Sequence, residues 1–230
     1  MFFSATYSPQ IINFIKQVTD ADRTIKIELP KEKLTLKGIK QYYICAKRAA
    51  DDPRGFNPKL RLLRQLIETI DTTQVIVFVN TKVYVNNIYR YLTNEGYTCD
   101  KIMGGMTPVE RDQVMRQFRL GDINFLIATD LLSRGIDISV MNMVINFDVP
   151  YKKDKDGFYE SRKAEYLHRI GRTGRFDTKG AACTLVGQDD YDNEMAVLLE
   201  IQEHYKSDIV RLESIEEFYD NYKEWVDAED

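Results

Sequence analysis

Apolar residues along this chain alternate between two periodicities. Leu60, Leu63, Leu66, Ile67 and Ile70 recur at helical spacing, whereas Val75-Ile76-Val77-Phe78-Val79 is a continuous apolar run of the kind buried on both faces of a parallel sheet. The pattern predicts strands over 39–45, 75–79, 98–102, 125–129, 143–147 and 181–186. It predicts helices over 58–70, from Thr81 to the Gly96 stop, from Thr107 to the Gly121 stop, and over 164–171 and 193–205. Thr107-Pro108-Val109-Glu110 reads as a capping box with proline at the first helical position. Strand–helix units joined by short loops imply an α/β fold, a mostly parallel central sheet with helices on both faces.

The flanks differ from this alternation. Residues 1–38 hold one amphipathic stretch (Ile11, Ile12, Phe14, Ile15, Val18) and a polar segment around Pro30, and read as a lead-in. Residues 213–230 place Ile215, Phe218, Tyr219, Tyr222, Trp225 and Val226 at helical spacing, which predicts an amphipathic helix docked on the domain, with a partner-binding helix as the alternative. The division is therefore 1–38, 39–212 and 213–230.

Composition changes this picture little until charge is resolved along the chain. A net charge of −4 is unfavourable for a nucleic-acid binder. Residues 213–230, however, carry eight acidic residues and one lysine, so the first 212 residues net +3. No apolar run reaches the length that spans a bilayer, and the start lacks the basic region of a signal peptide. Cys45, Cys99 and Cys183 are far apart and read as reduced thiols; with only His168 and His204 beside them, no metal site is expected.

Three clusters carry candidate chemistry. Open parallel sheets bind ligands beyond the carboxyl ends of their strands, and all three clusters are expected there. His168-Arg169-Ile170-Gly171-Arg172-Thr173-Gly174-Arg175 sets three arginines among two glycines, which would end a helix and carry Arg172 and Arg175 outward. Paired guanidinium groups suit the spread charge of a transferring phosphoryl group. Thr129-Asp130 and the Arg134-Gly135-Ile136-Asp137 run follow the 125–129 strand. Asn80-Thr81-Lys82, with Gly104-Gly105 and Arg111, offers helix N-termini, glycine amides and a cation, although Thr81 serves equally as a simple helix cap. The chain has no G-x-x-x-x-G-K-[ST] loop and no acidic run at a strand end, so it can complete a nucleotide site but not build one.

The order and spacing of these clusters resemble the second half of a DEAD-box ATP-dependent RNA helicase. Ser4-Ala5-Thr6 is similar to motif III, 75–82 to motif IV, 104–111 to motif IVa, 129–137 to motif V and 168–175 to motif VI. Motif IVa departs from the family in having Pro108 in place of a glutamine and Met103 in place of a histidine. The resemblance implies a RecA-like fold, with 1–38 the end of an N-terminal helicase domain plus linker. It implies that Arg172 and Arg175 act as arginine fingers, that Gly135 and Asp137 approach ATP, and that Thr81, Arg111 and Thr129 grip the RNA backbone. Ser4, Thr6 and His168 would couple the two domains. ATP and Mg²⁺ would be held mainly by the N-terminal RecA-like domain, so this chain alone would not hydrolyse ATP. The insertion between Pro150 and Tyr166, read as a solvated surface loop, and the segments around 34–43 and 201–205 resemble the mRNA-export subfamily. That subfamily implies a stimulating export factor with inositol hexakisphosphate, a monomer in cytoplasm and nucleus, and a place at the cytoplasmic face of the nuclear pore. A DNA translocase of the same superfamily, or a non-catalytic RNA or protein interaction module, are the alternative readings.

Overall fold

The computed structural model describes residues 7, 9–20, 24–27, 38–48, 57–70, 74–130, 141, 143–174 and 178–228. Strands β1 (Ile39–Ala46), β2 (Val75–Phe78), β3 (Cys99–Ile102), β4 (Phe125–Ala128) and β5 (Met143–Asn146) belong to one sheet with two later strands. A hairpin of β6 (Tyr151–Lys153) and β7 (Tyr159–Ser161) precedes those two, β8 (Gly180–Gly187) and β9 (Ile209–Leu212). The helices are α1 (Pro9–Val18), α2 (Pro58–Thr69), α3 (Lys82–Asn94), α4 (Pro108–Leu120), α5 (Lys163–Ile170), α6 (Tyr191–Tyr205) and α7 (Ile215–Asp227).

The seven-stranded sheet runs β3-β4-β2-β5-β8-β1-β9, and every pairing is parallel. Period-two geometry sends alternate side chains of one strand to opposite faces. Val75 and Val77 accordingly pack with Leu63 and Leu66 of α2, Val85 and Ile88 of α3, and Phe218 and Tyr222 of α7. Ile76 and Phe78 of the same strand face Val114, Met115 and Phe118 of α4. Further along that second face, α5 and α6 cover Ala182 and Val186 through Tyr166, Leu167, Leu198 and Ile201. The result is the α/β/α layering of the RecA-like fold.

Local signals set the helix limits. Thr107 accepts from the Glu110 N–H at 3.2 Å while the Glu110 carboxylate accepts from the Thr107 N–H at 2.6 Å, so the expected capping box forms. The amphipathic C-terminal segment docks as α7: Phe218 is fully buried, meets Tyr42 edge-to-face at 5.5 Å, and the Trp225 indole donates to the Gly180 carbonyl at 3.0 Å.

Two segments correct the sequence expectation. The insertion is solvent-exposed over 152–158, as expected, but is ordered as a β-hairpin: the Asp154 carboxylate accepts from the N–H groups of Asp156 and Phe158 at 2.9 and 2.8 Å, and the Tyr151 and Tyr159 rings meet at 4.2 Å. β9 was not foreseen, because Ile209-Val210-Arg211-Leu212 buries only its two ends at the sheet margin.

Removing the ring that anchors α7 should be costly. Phe218→Ala is expected to lower stability by about 3–5 kcal/mol, read as a lower urea midpoint. An unchanged midpoint would mean that α7 contributes nothing to the core.

Candidate nucleic-acid and nucleotide interfaces

Parallel strands give the sheet two chemically distinct margins, and the clusters divide between them. At the carboxyl margin, Thr81 follows β2 and caps α3, its hydroxyl oxygen accepting from the Tyr84 N–H at 3.2 Å. Capping uses an oxygen lone pair and leaves the hydroxyl hydrogen able to donate. Thr129 is half-buried just beyond β4, with its N–H donating to the Ile102 carbonyl at 3.3 Å. Arg111 sits on the first turn of α4, and its buried Nε finds no hydrogen-bond acceptor among the described residues. Gly105 brings the loop before α4 close to the Lys82 ammonium, which would lie 3.9 Å from a β-carbon there. Met103, in the place of the family's histidine, packs its sulfur 3.9 Å from the Asn86 amide of α3.

Beside Thr81 the same margin holds a polar cavity of about 330 Å³, lined by residues that include Lys59, Asn80, Tyr84, Asp148, Tyr151 and Glu194. Its floor is ionic. The buried Lys59 ammonium donates to Glu194 at 2.7 Å and lies 3.8 Å from Asp148, while the second Glu194 oxygen accepts from the Gly187 N–H at 2.6 Å. Burial raises the Glu194 carboxyl above its ordinary value, and the Lys59 cation only partly offsets it. Sequence reasoning did not find this cavity. Lys59 stands in the first turn of a predicted helix, and its partners Glu194 and Asp148 lie far away in sequence.

Motif VI does not lie wholly at the carboxyl margin, contrary to the sequence expectation. Helix α5 runs from the carboxyl margin, where the Arg162 N–H donates to the Pro150 carbonyl, back to the amino margin. There the Thr173 hydroxyl donates to the Met141 carbonyl at 2.7 Å, ahead of β5, and Gly174 packs against Gly38 and Ile39 at the start of β1. The close packing leaves no room for side chains: a β-carbon on Gly180 would fall 2.3 Å from the Thr173 hydroxyl and 2.6 Å from the Gly174 nitrogen. Arg172 is therefore at the opposite margin from Thr81, Thr129 and Arg111. Nor is it carried outward. It is 8% exposed, and its Nε donates to the His168 carbonyl at 3.1 Å. His168 is half-buried in the last turn of α5. Arg175, Gly135, Asp137, Ser4 and Thr6 lie outside the described residues.

Between the margins lies a side chain that the sequence reading left without a role. Arg169 is fully buried, and because helical side chains lean toward the helix N-terminus it reaches from α5 back to the carboxyl margin. Nε donates to Asp130 at 2.6 Å, one terminal nitrogen to the Asp148 carbonyl at 2.8 Å, and the other to the Asn80 side-chain oxygen at 2.8 Å. The guanidinium also lies over the Phe78 ring at 5.6 Å. Asp130 takes a second cation, Arg162, at 3.1 Å, and the Asp148 carboxylate accepts from the Asn80 N–H at 2.9 Å.

Comparison with known proteins places this geometry. The helicase conserved C-terminal domain family matches residues 58–177. ATP-dependent RNA helicase dbp5 of Emericella nidulans is 34% identical over the whole chain, which spans 44% of that protein. The helicase eIF4A of Yarrowia lipolytica is 37% identical over 82% of the chain and 42% of its own length. The chain thus spans less than half the length of these relatives. Among solved structures, S. cerevisiae Dbp5 bound to RNA and ADP BeF3 superposes with a TM-score of 0.81 at 31% identity, covering 97% of this chain and 54% of that one. A complex of a Dbp5 variant with Nup159, a Gle1 variant, IP6 and ADP gives 0.70 at 29%, covering 98% and 54%. The isolated C-terminal domain of the DEAD-box protein Dbp5 gives 0.66 at 34% identity, and this chain covers 98% of it. With the all-parallel sheet and the described parts of motifs IV and VI at its margins, these matches make the chain a C-terminal RecA-like domain of the DEAD-box RNA helicase family.

Proposed function

We propose that this domain grips the sugar–phosphate backbone of single-stranded RNA at the carboxyl margin and presents arginine fingers to ATP at the amino margin. The observation that carries the reading is the separation of Thr81, Thr129 and Arg111 from Arg172 on opposite sides of one sheet. Two ligands can then be held at once by one rigid body. The buried Nε of Arg111 and the Lys82 ammonium beside Gly105 supply cationic groups for phosphate. Contacts of this kind carry no sequence information, so binding is expected to be indifferent to base identity and sensitive to salt.

In this reading ATP and Mg²⁺ are held mainly by an N-terminal RecA-like domain. The described residues offer no cluster of three carboxylate, histidine or cysteine ligands for the ion, and the chain contains no phosphate-binding loop. Closure of the two domains would bring Arg172, released from the His168 carbonyl, and Arg175 onto the γ-phosphate. Gly135 and Asp137 would approach the nucleotide from this side, with His168, Ser4 and Thr6 at the junction. The chain alone is then inactive. The likeness to Dbp5 supports a role in mRNA export or ribonucleoprotein remodelling, in cytoplasm and nucleus and at the cytoplasmic face of the nuclear pore. The Dbp5 complex with Gle1 and IP6 supports stimulation by an export factor with inositol hexakisphosphate.

The deciding experiment joins the 230-residue chain behind the ATP-binding domain of a DEAD-box relative and follows RNA-stimulated ATP hydrolysis. The chain alone should be silent and the fusion active, with Arg172→Ala lowering turnover by about 10³-fold or more. Hydrolysis unaffected by Arg172→Ala would remove the finger assignment. Arg111→Ala should weaken RNA binding alike for unrelated sequences and flatten the log–log salt dependence by about 0.7 for one lost phosphate contact. A selective loss for one sequence would instead mean base recognition.

A further inference from the structure

We propose that Arg169 is a positioning residue that couples RNA engagement at the carboxyl margin to the arginine at the amino margin; this deepens the functional reading above and rests on it. Arg169 touches neither ligand, being fully buried. Two of its three acceptors, however, are chain neighbours of the residues assigned to RNA. Asn80 precedes Thr81, and Asp130 follows Thr129. The third acceptor, the Asp148 carbonyl, belongs to a residue whose carboxylate holds the Asn80 N–H, so the ends of β2, β4 and β5 meet on one guanidinium.

At its other end the same residue belongs to α5, one turn before Arg172. The Arg172 Nε bond to the His168 carbonyl fastens that finger to the last turn of the helix. Displacing Thr81 or Thr129 therefore displaces an Arg169 acceptor, and the buried guanidinium must follow or lose charge-assisted bonds. Losing them inside the protein is costly, because a buried cation deprived of its carboxylate remains desolvated. The easier response is a movement of α5 that carries Arg172 with it. Only arginine can fill this position. Its planar fork meets three divergent acceptors and lies on the Phe78 ring, whereas a lysine ammonium cannot reach all three.

The test measures linkage rather than activity. The 230-residue chain, joined behind the ATP-binding domain of a relative, is titrated with single-stranded RNA with and without a non-hydrolysable ATP analogue. The ratio of the two dissociation constants is the coupling. A wild-type ratio of about 10–100 is expected, and R169K should bring it within about twofold of one. D130N keeps an oxygen facing Nε without the charge and should give an intermediate ratio; it decides the matter if R169K does not fold. F218L, on α7 and away from the network, should lower the melting temperature and leave the ratio at the wild-type value. The proposal is overturned if D130N and a folded R169K keep the wild-type ratio, or if F218L loses as much as they do. A wild-type ratio of one would instead defeat the two-margin function itself.

Discussion

A fully buried cation where the carboxyl ends of three neighbouring parallel strands meet is the constraint on which the rest of the site depends. Arg169 has exchanged its water shell for one carboxylate, one carbonyl, one amide oxygen and an aromatic face. That exchange works only if three strand ends stand at fixed heights and α5 holds one rotation about its axis. Each requirement constrains a neighbour: Asp148 must orient Asn80, and Asp130 must sit between two arginines. An apolar side chain of similar volume could fill such a space without this specificity. What the buried arginine adds is a unique register among elements that hydrophobic packing alone would hold loosely.

The parallel sheet explains why such a strut is needed. The fold places helix starts and exposed loop amides at one margin and the ends of the returning helices at the other. A domain that meets a polyanion on one side and a nucleotide on the other can use both margins without bending. The Lys59–Glu194–Asp148 cluster is a second ionic knot on the carboxyl side, and it ties α2 to α6 across the sheet. Apolar packing supplies most of the cohesion, while these two knots determine where the loops sit.

Much of this was legible in residue order. Continuous apolar runs such as 75–79 and the spacing of Leu63, Leu66 and Ile67 correspond to the observed strands and helices, and the capping chemistry at Thr107 behaves as its residues imply. Less was legible where polarity and burial diverge. β9 carries Arg211 at its exposed middle, and the hairpin gets its order from Asp154 and a tyrosine pair rather than from an apolar pattern. The arginines of motif VI look alike in sequence, but the two that the structure describes differ in environment. Arg169 faces inward, and Arg172 folds against the helix end. A signal for their separation was present all the same. Residues that close a helix and precede a strand belong to the amino margin, so position within the βα unit could have placed Arg172 where composition could not.

The place of β1 has a consequence for the order of assembly during synthesis. Its two neighbours are β8 and β9, with Ile39 opposite Gly180 and Gln41 opposite Ile209. At translation rates of about 5–20 residues per second, the first of these partners emerges roughly 7–30 s after β1. Until then Tyr42 and Ile44 have no sheet to join, although β2, β3, β4 and β5 can already pair among themselves. The nascent chain thus passes through a stage with a four-stranded core and a tethered, unpaired apolar strand. Molecular chaperones that shield extended apolar segments would meet this protein at β1, in the interval before β8 emerges and closes the gap between β5 and β1.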